Sequence, residues 1–123
     1  MLRAIQQLAL VQRDIPQAVR FYRDTLGLAL TFESAGMAFF EIGGVRLMLT
    51  PPSAPEFDHA NSVLYFDVED AAAAYDAVVG RGATPERPPA VVGRTATHEV
   101  TIAFVRDPEG NLIGLSAQRA ITG

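Results

Sequence analysis

Three features of the sequence predict an α+β fold built from two βαβββ modules. The order strand, helix, three strands occurs twice along the 123 residues. Asp14 and Asp70, 56 residues apart, each stand just ahead of a helical pattern. Gly44-x-x-Leu47-x-Leu49 matches Gly110-x-x-Ile113-x-Leu115 at a separation of 66, so the second half carries a ten-residue insertion. One domain over 1–123 is expected, with module one at 1–50, a linker at 51–61 and module two at 62–123.

The apolar run Ile5 to Val11 reads as the first strand and gives way at Arg13-Asp14 to a helical period. Asp14 is a natural N-cap, because its carboxylate accepts from the open amides of the first turn, and Pro16 sits where a missing N–H costs nothing. Ile15, Ala18, Tyr22 and Leu26 then recur at spacings of three and four until Gly27 ends the helix. Strands follow over Leu28 to Glu33, Met37 to Ile42 and Val45 to Thr50. The last two are joined by Gly43-Gly44, which permits positive φ at both turn positions. Residues 51–61 hold three prolines and no apolar period, the mark of a linker. A strand from Ser62 to Val68 and a helix through Ala71 to Val79 restart the order. Strands near Pro89 to Arg94, His98 to Arg106 and Leu112 to Ala117 complete it. Arg87 to Arg94, with Pro88 and Pro89, suits an edge strand or an arm over the mouth of a cleft. Asp107-Pro-Glu-Gly-Asn111 has Pro and Gly at the offsets of a hairpin turn.

Composition excludes several classes of chemistry. No cysteine is present, so there is no disulfide, thiolate metal site or thiol nucleophile. All ten basic residues are arginines, which rules out a Schiff-base lysine and a P-loop. A net charge of −4 opposes nucleic-acid binding and suits a neutral or cationic ligand better than an anion. Neither a spanning apolar run nor a secretory leader is seen, so a cytoplasmic protein without membrane contact is expected.

Strand parity separates two faces. Leu8 and Leu10, Val45, Leu47 and Leu49, Leu64, Phe66 and Val68, and Ile113 and Leu115 are uniformly apolar and should lie under the helices. The opposite parity carries Gln7, Arg46, Met48, Val63, Tyr65, Asp67, Gly114 and Ser116. A tight Gly43-Gly44 turn sets Glu41 across from Arg46, as an ion pair, and Phe39 across from Met48. This half-polar, aromatic-bearing face is the candidate ligand cleft, although water or a second subunit would also cover such a surface. Tyr65 and Asp67 supply a hydrogen-bond donor and an anionic anchor there. His59 reads as a linker residue. His98 reads as a strand-end polar residue whose neighbour Glu99 points to the other face.

Asp14-Ile-Pro-Gln-Ala-Val-Arg-Phe-Tyr22 with Leu26-Gly27, Val63-Leu-Tyr-Phe-Asp-Val-Glu-Asp70 and Phe104-Val-Arg-Asp-Pro-Glu-Gly-Asn111-Leu-Ile lie in order on this paired layout. Together they resemble the glyoxalase/bleomycin-resistance/extradiol-dioxygenase, or vicinal oxygen chelate, superfamily. The resemblance implies a curved mixed sheet around a cleft, and often a homodimer. It also implies a divalent metal held from the first and last strands of each module. The residues here that match those metal positions are Gln7, Met48, Val63 and Gly114, and three of the four have no nitrogen or oxygen donor in the side chain. One neutral amide does not displace a cation's water, so no metal and no other cofactor is expected. Three functions then stand open. One is metal-free binding of a small organic molecule. A second is an enzyme using Asp67, Glu41 or His98 as acid or base, or an unrecognised metal, on a carbonyl or aromatic substrate. The third is a structural or regulatory dimer with a vestigial cleft.

Overall fold

The computed structural model describes residues 1–121 of the chain. It divides into two compact modules, Met1–Asn61 and the chain from Ser62 onward. In the first, strand β1 (Gln7–Val11) lies parallel to β4 (Val45–Thr50). β4 pairs antiparallel with β3 (Met37–Ile42), which pairs with β2 (Ala29–Ser34), giving the order β1-β4-β3-β2. In the second, β5 (Leu64–Asp67) runs parallel to β8 (Leu112–Ala120). β7 (His98–Arg106) and then β6 (Thr84–Arg94) follow antiparallel, giving the order β5-β8-β7-β6. Each module is therefore a four-stranded mixed sheet with one helix, as the repeated pattern predicts.

Both aspartate caps form. An Asp14 Oδ1 accepts from Gln17 N at 3.0 Å, and an Asp70 Oδ1 accepts from Ala73 N at 3.0 Å. The helix between Asp14 and Gly27 departs from a uniform 3.6-residue period. It is α-helical over α1 (Ile15–Val19) and π-helical over Arg20–Thr25, with the Leu26 N–H reaching Phe21 O at 2.9 Å. Phe21 and Tyr22 both face inward in this wider turn, 5 % and 1 % exposed. Their rings meet edge to face at 5.3 Å, and Tyr22 continues to Phe40 at 6.3 Å. Gly27, at φ +79°, then lets the Leu28 N–H return to Tyr22 O at 3.0 Å.

Leu10, Leu47, Leu49, Ala38 and Phe40 fill the space under α1, and Ala103, Val105, Ile113 and Leu115 fill that under α2 (Ala71–Gly80). Leu8 departs from the expected core. It stays 37 % exposed because α1 packs on the inner strands β3 and β4 and gives edge strand β1 little cover. Gly43 and Gly44 adopt φ +55° and +82°, the conformation a two-residue hairpin demands. β6 is longer than the Pro89–Arg94 strand expected and lies on the sheet edge. Pro85, Pro88 and Pro89 are tolerated there through breaks in the register with β7. Residues 51–61 fold back on module one. The Asn61 side chain accepts from Val11 N at 3.0 Å and donates to Val11 O at 3.1 Å, closing the open edge of β1, and Asp58 pairs with Arg13. Among the described residues no helix is long and apolar enough to cross a membrane.

Candidate functional site

On module one, the rows across the sheet set Gln7 beside Arg46 and Glu41, and Ala9 beside Met48, Phe39 and Phe32. The register thus brings Gln7, Phe39, Glu41, Arg46 and Met48 onto one face, as parity requires. Gln7 Nε2 stands 3.9 Å from Met48 Sδ. The Glu41–Arg46 ion pair expected across the hairpin does not form. The Arg46 guanidinium instead lies 6.0 and 5.8 Å from the centroids of Phe32 and Phe39, which stack face to face at 4.3 Å and 12°. A guanidinium over two rings keeps solvent on its edges while its plane gains cation–π contact.

Sequence reasoning missed Phe32, for a geometric reason. Leu30 pairs with Phe40 on the helix side, and uninterrupted alternation would place Phe32 there too. A bulge between Leu30 and Phe32 turns Phe32 over to the face of Phe39. Thr31, the extra residue, ties itself down by donating its hydroxyl to Phe39 O at 2.9 Å. Phe32 then covers Phe39, which is only 7 % exposed and forms the floor of this face rather than its rim.

On module two, Tyr65 lies beside Gly114 and Phe104, and Asp67 beside Ser116 and Ile102, with Val63 at the end of the row. Gly114 has a specific reason to be glycine. A Cβ built on it would stand 2.5 Å from Tyr65 Cδ1 and 2.9 Å from Cε1, so the phenol ring lies directly on the backbone. From there the ring meets Phe104 edge to face at 5.8 Å and 76°. Arg87 places its guanidinium 5.9 Å from the Phe104 centroid. Arg106 Nε donates to Glu86 Oε2 at 2.9 Å, and another of its nitrogens donates to Gly110 O at 2.7 Å. The hydrogen bond from Arg106 holds the Glu86 carboxyl below its ordinary range, and Glu86 in turn raises Arg106. Val63, Tyr65, Glu86, Arg87, Phe104, Arg106 and Leu112 enclose a hollow of about 250 Å³. Asp67 and Ser116 share the sheet face and lie outside the hollow's lining. Phe104, Arg106 and Glu86 were not singled out from the sequence, although parity along β7 carries the signal for the first two. Arg87 opens the stretch expected at the edge or over the cleft mouth, and the broken register of β6 has no period to show which way its side chains turn.

The remaining polar candidates stand apart. His98 is exposed, with Nδ1 2.9 Å from Thr97 Oγ1, and exposed His59 has Nδ1 2.9 Å from Ala60 O. Glu99 is buried and spent on Arg94 at 2.7 Å and Arg119 at 3.0 Å, so it is structural. A roomier hollow of about 670 Å³ lies on module one between α1 and the β2–β3 turn. It is an open groove without an aromatic platform, and its Arg23 is held by Asp24 at 2.8 Å, so the smaller aromatic hollow is the better candidate. Among the described residues no group of three or more His, Asp or Glu side chains is placed to hold a metal ion.

A family model for the Glyoxalase/Bleomycin resistance protein/Dioxygenase superfamily matches residues 4–115. No curated protein matches the chain. Among solved structures, an integron cassette protein from the mobile metagenome of V. cholerae is 26 % identical, covering 95 % of this chain and 96 % of its own, with a TM-score of 0.77. A lactoylglutathione lyase from Agrobacterium tumefaciens is 22 % identical over 95 % of both chains, with a TM-score of 0.76. A glyoxalase-related enzyme from Fulvimarina pelagi is 19 % identical over 94 % of this chain and 88 % of its own, with a TM-score of 0.77. These last two are likenesses of fold.

Proposed function

We propose that this chain, which belongs to the Glyoxalase/Bleomycin resistance protein/Dioxygenase superfamily, binds a small organic molecule without a metal, on the aromatic-lined sheet faces of its modules. The observation that carries this is the contact between Tyr65 and Gly114. Of the four positions where the family pattern would supply metal ligands, Gln7 has one neutral amide, Met48 and Val63 have no oxygen or nitrogen donor, and Gly114 has no side chain at all. The volume a ligating side chain at 114 would need is filled by the phenol ring of Tyr65. An aromatic surface thus stands where the pattern would put a charged donor, and an aromatic surface favours an organic guest. The proposed ligand face comprises Gln7, Glu41, Arg46 and Met48 with Phe39 as floor on one module, and Val63 and Tyr65 with Gly114 as floor on the other, where Asp67 and Ser116 lie farther along the same face. The protein works as a cytoplasmic homodimer.

A thermal-shift panel of neutral, cationic and anionic aromatic and aliphatic compounds tests this. A ligand selective for the native state raises the midpoint with its concentration, and Tyr65→Ala is expected to weaken that response. Silence across the whole panel, or a response unchanged in Tyr65→Ala, overturns the proposal. Light scattering checks the dimer.

A further inference from the structure

The charges around the module-two hollow do not balance, although the chain as a whole is acidic at −4. Three charged side chains line it. Glu86 is committed to Arg106 at 2.9 Å, and the Arg106 fork is fixed further by Gly110 O at 2.7 Å. Those two charges cancel. Arg87 makes no ion pair among the described residues; its contact is with the Phe104 ring. The hollow therefore presents one surplus guanidinium, set over the Phe104 ring at 5.9 Å and with no ion-pair partner among the described residues.

The rest of the wall is apolar or aromatic: Val63, Leu112, Phe104 and the exposed ring of Tyr65. A space of about 250 Å³ is roughly eight water volumes, enough to seat a substituted ring. A planar carboxylate satisfies both halves of this surface. Its two oxygens accept from the Arg87 fork in the bidentate geometry that guanidinium favours, and its ring or unsaturated body lies on the aromatic and aliphatic wall. A cation would meet Arg87 with like charge, and a neutral ring would leave the fork to water.

Building on the proposed organic-ligand function, we infer that the hollow selects a small planar organic anion of the aromatic-carboxylate class, with Arg87 as the anion-binding residue. Net charge on the whole surface pointed the other way, and the local set of charges outweighs it because exposed charges beyond about a Debye length, ~8–10 Å, are screened.

The test uses three probes of one shape and different charge, benzoate, benzamide and benzylammonium, titrated calorimetrically into the full chain at about 0.1–0.15 M ionic strength, where the distant charges are screened. Benzoate is expected to bind about ten-fold or more tighter than the other two. Arg87→Gln is expected to erase that margin, and Arg20→Gln, a charge-matched control on the other module, to keep it. Arg87 lies on an edge strand and is exposed, so the variant's unliganded unfolding midpoint should match the parent and show that the fold is retained. Amide shifts on benzoate addition should centre on Val63, Tyr65 and Leu112. The inference is overturned if benzamide or benzylammonium binds as tightly as benzoate, if Arg87→Gln keeps the margin, or if the shifts centre elsewhere. It is also overturned if benzoate is silent while other compounds of the panel bind, and in that case the organic-ligand proposal stands. Silence of every compound removes both.

Discussion

The contact between Tyr65 and Gly114 makes a quantitative prediction that can be isolated from everything else in module two. In Gly114→Ala the new methyl would sit 2.5 Å from Tyr65 Cδ1 and 2.9 Å from Cε1. Carbon atoms rest at about 3.5–4.0 Å, so the overlap is about 1 Å and the ring must give way. Tyr65 is 57 % exposed and can swing outward, which places the cost at the low end of overpacking, about 1 kcal/mol, including part of the edge-to-face contact with Phe104. Without the ring the sign reverses. The Gly114 backbone lies outside the left-handed region, so alanine there is unstrained and gains about 0.4–1 kcal/mol from a less flexible unfolded chain. A double-mutant cycle of Gly114→Ala and Tyr65→Ala, measured by urea denaturation, is therefore expected to give a coupling of about 1.5–2 kcal/mol. Additivity within about 0.5 kcal/mol would refute the packing argument, and with it the claim that the phenol occupies the space of a side chain at 114.

Other expectations follow from individual contacts. Asn61→Ala removes both partners of the Val11 backbone and should cost about 1–2 kcal/mol in urea denaturation, with faster amide exchange at Val11; an unchanged rate would show that the linker does not close the edge of β1. Glu86 is held below its ordinary pKa by Arg106, so its stabilising effect is complete above the usual carboxylate range and is lost as pH falls through its depressed folded value. Glu86→Gln should accordingly be less stable than the parent at neutral pH, with the gap closing in acid and in high salt; a gap independent of pH contradicts the pairing. Phe32→Ala uncovers Phe39 and frees Arg46, and is expected to cost about 1–3 kcal/mol in the same assay, while no loss would place Phe32 outside the face.

Much of the fold was legible because its signals are local. An aspartate ahead of a helical period, a glycine pair between two alternating runs and a repeated Gly-x-x-apolar-x-Leu each depend on a few neighbouring residues, and each appears where the pattern placed it. The face assignment around Gly43-Gly44 was equally local: once the turn is two residues long, Glu41 must oppose Arg46 and Phe39 must oppose Met48. What escaped depended on a change of period or on distant partners. The π-helical turn at Arg20–Thr25 departs from the uniform helical period, and the bulge at Thr31 inverts the face of Phe32. Arg46 chose two rings over the carboxylate across the hairpin, a choice that required Phe32 to be on that face. Arg87 and Glu86 reach the module-two hollow only through the broken register of β6, and Leu8 loses its cover because the helix lies over β3 and β4 instead.

Metal content tests the central claim most directly, because Gln7, Met48, Val63 and Gly114 together offer a cation a single neutral amide. Elemental analysis of the protein purified without chelator, followed by thermal denaturation with added manganese, nickel and zinc, is expected to find no stoichiometric metal and no concentration-dependent rise in the midpoint. A metal retained in near-stoichiometric amount through dialysis, and raising the midpoint when restored, would contradict it.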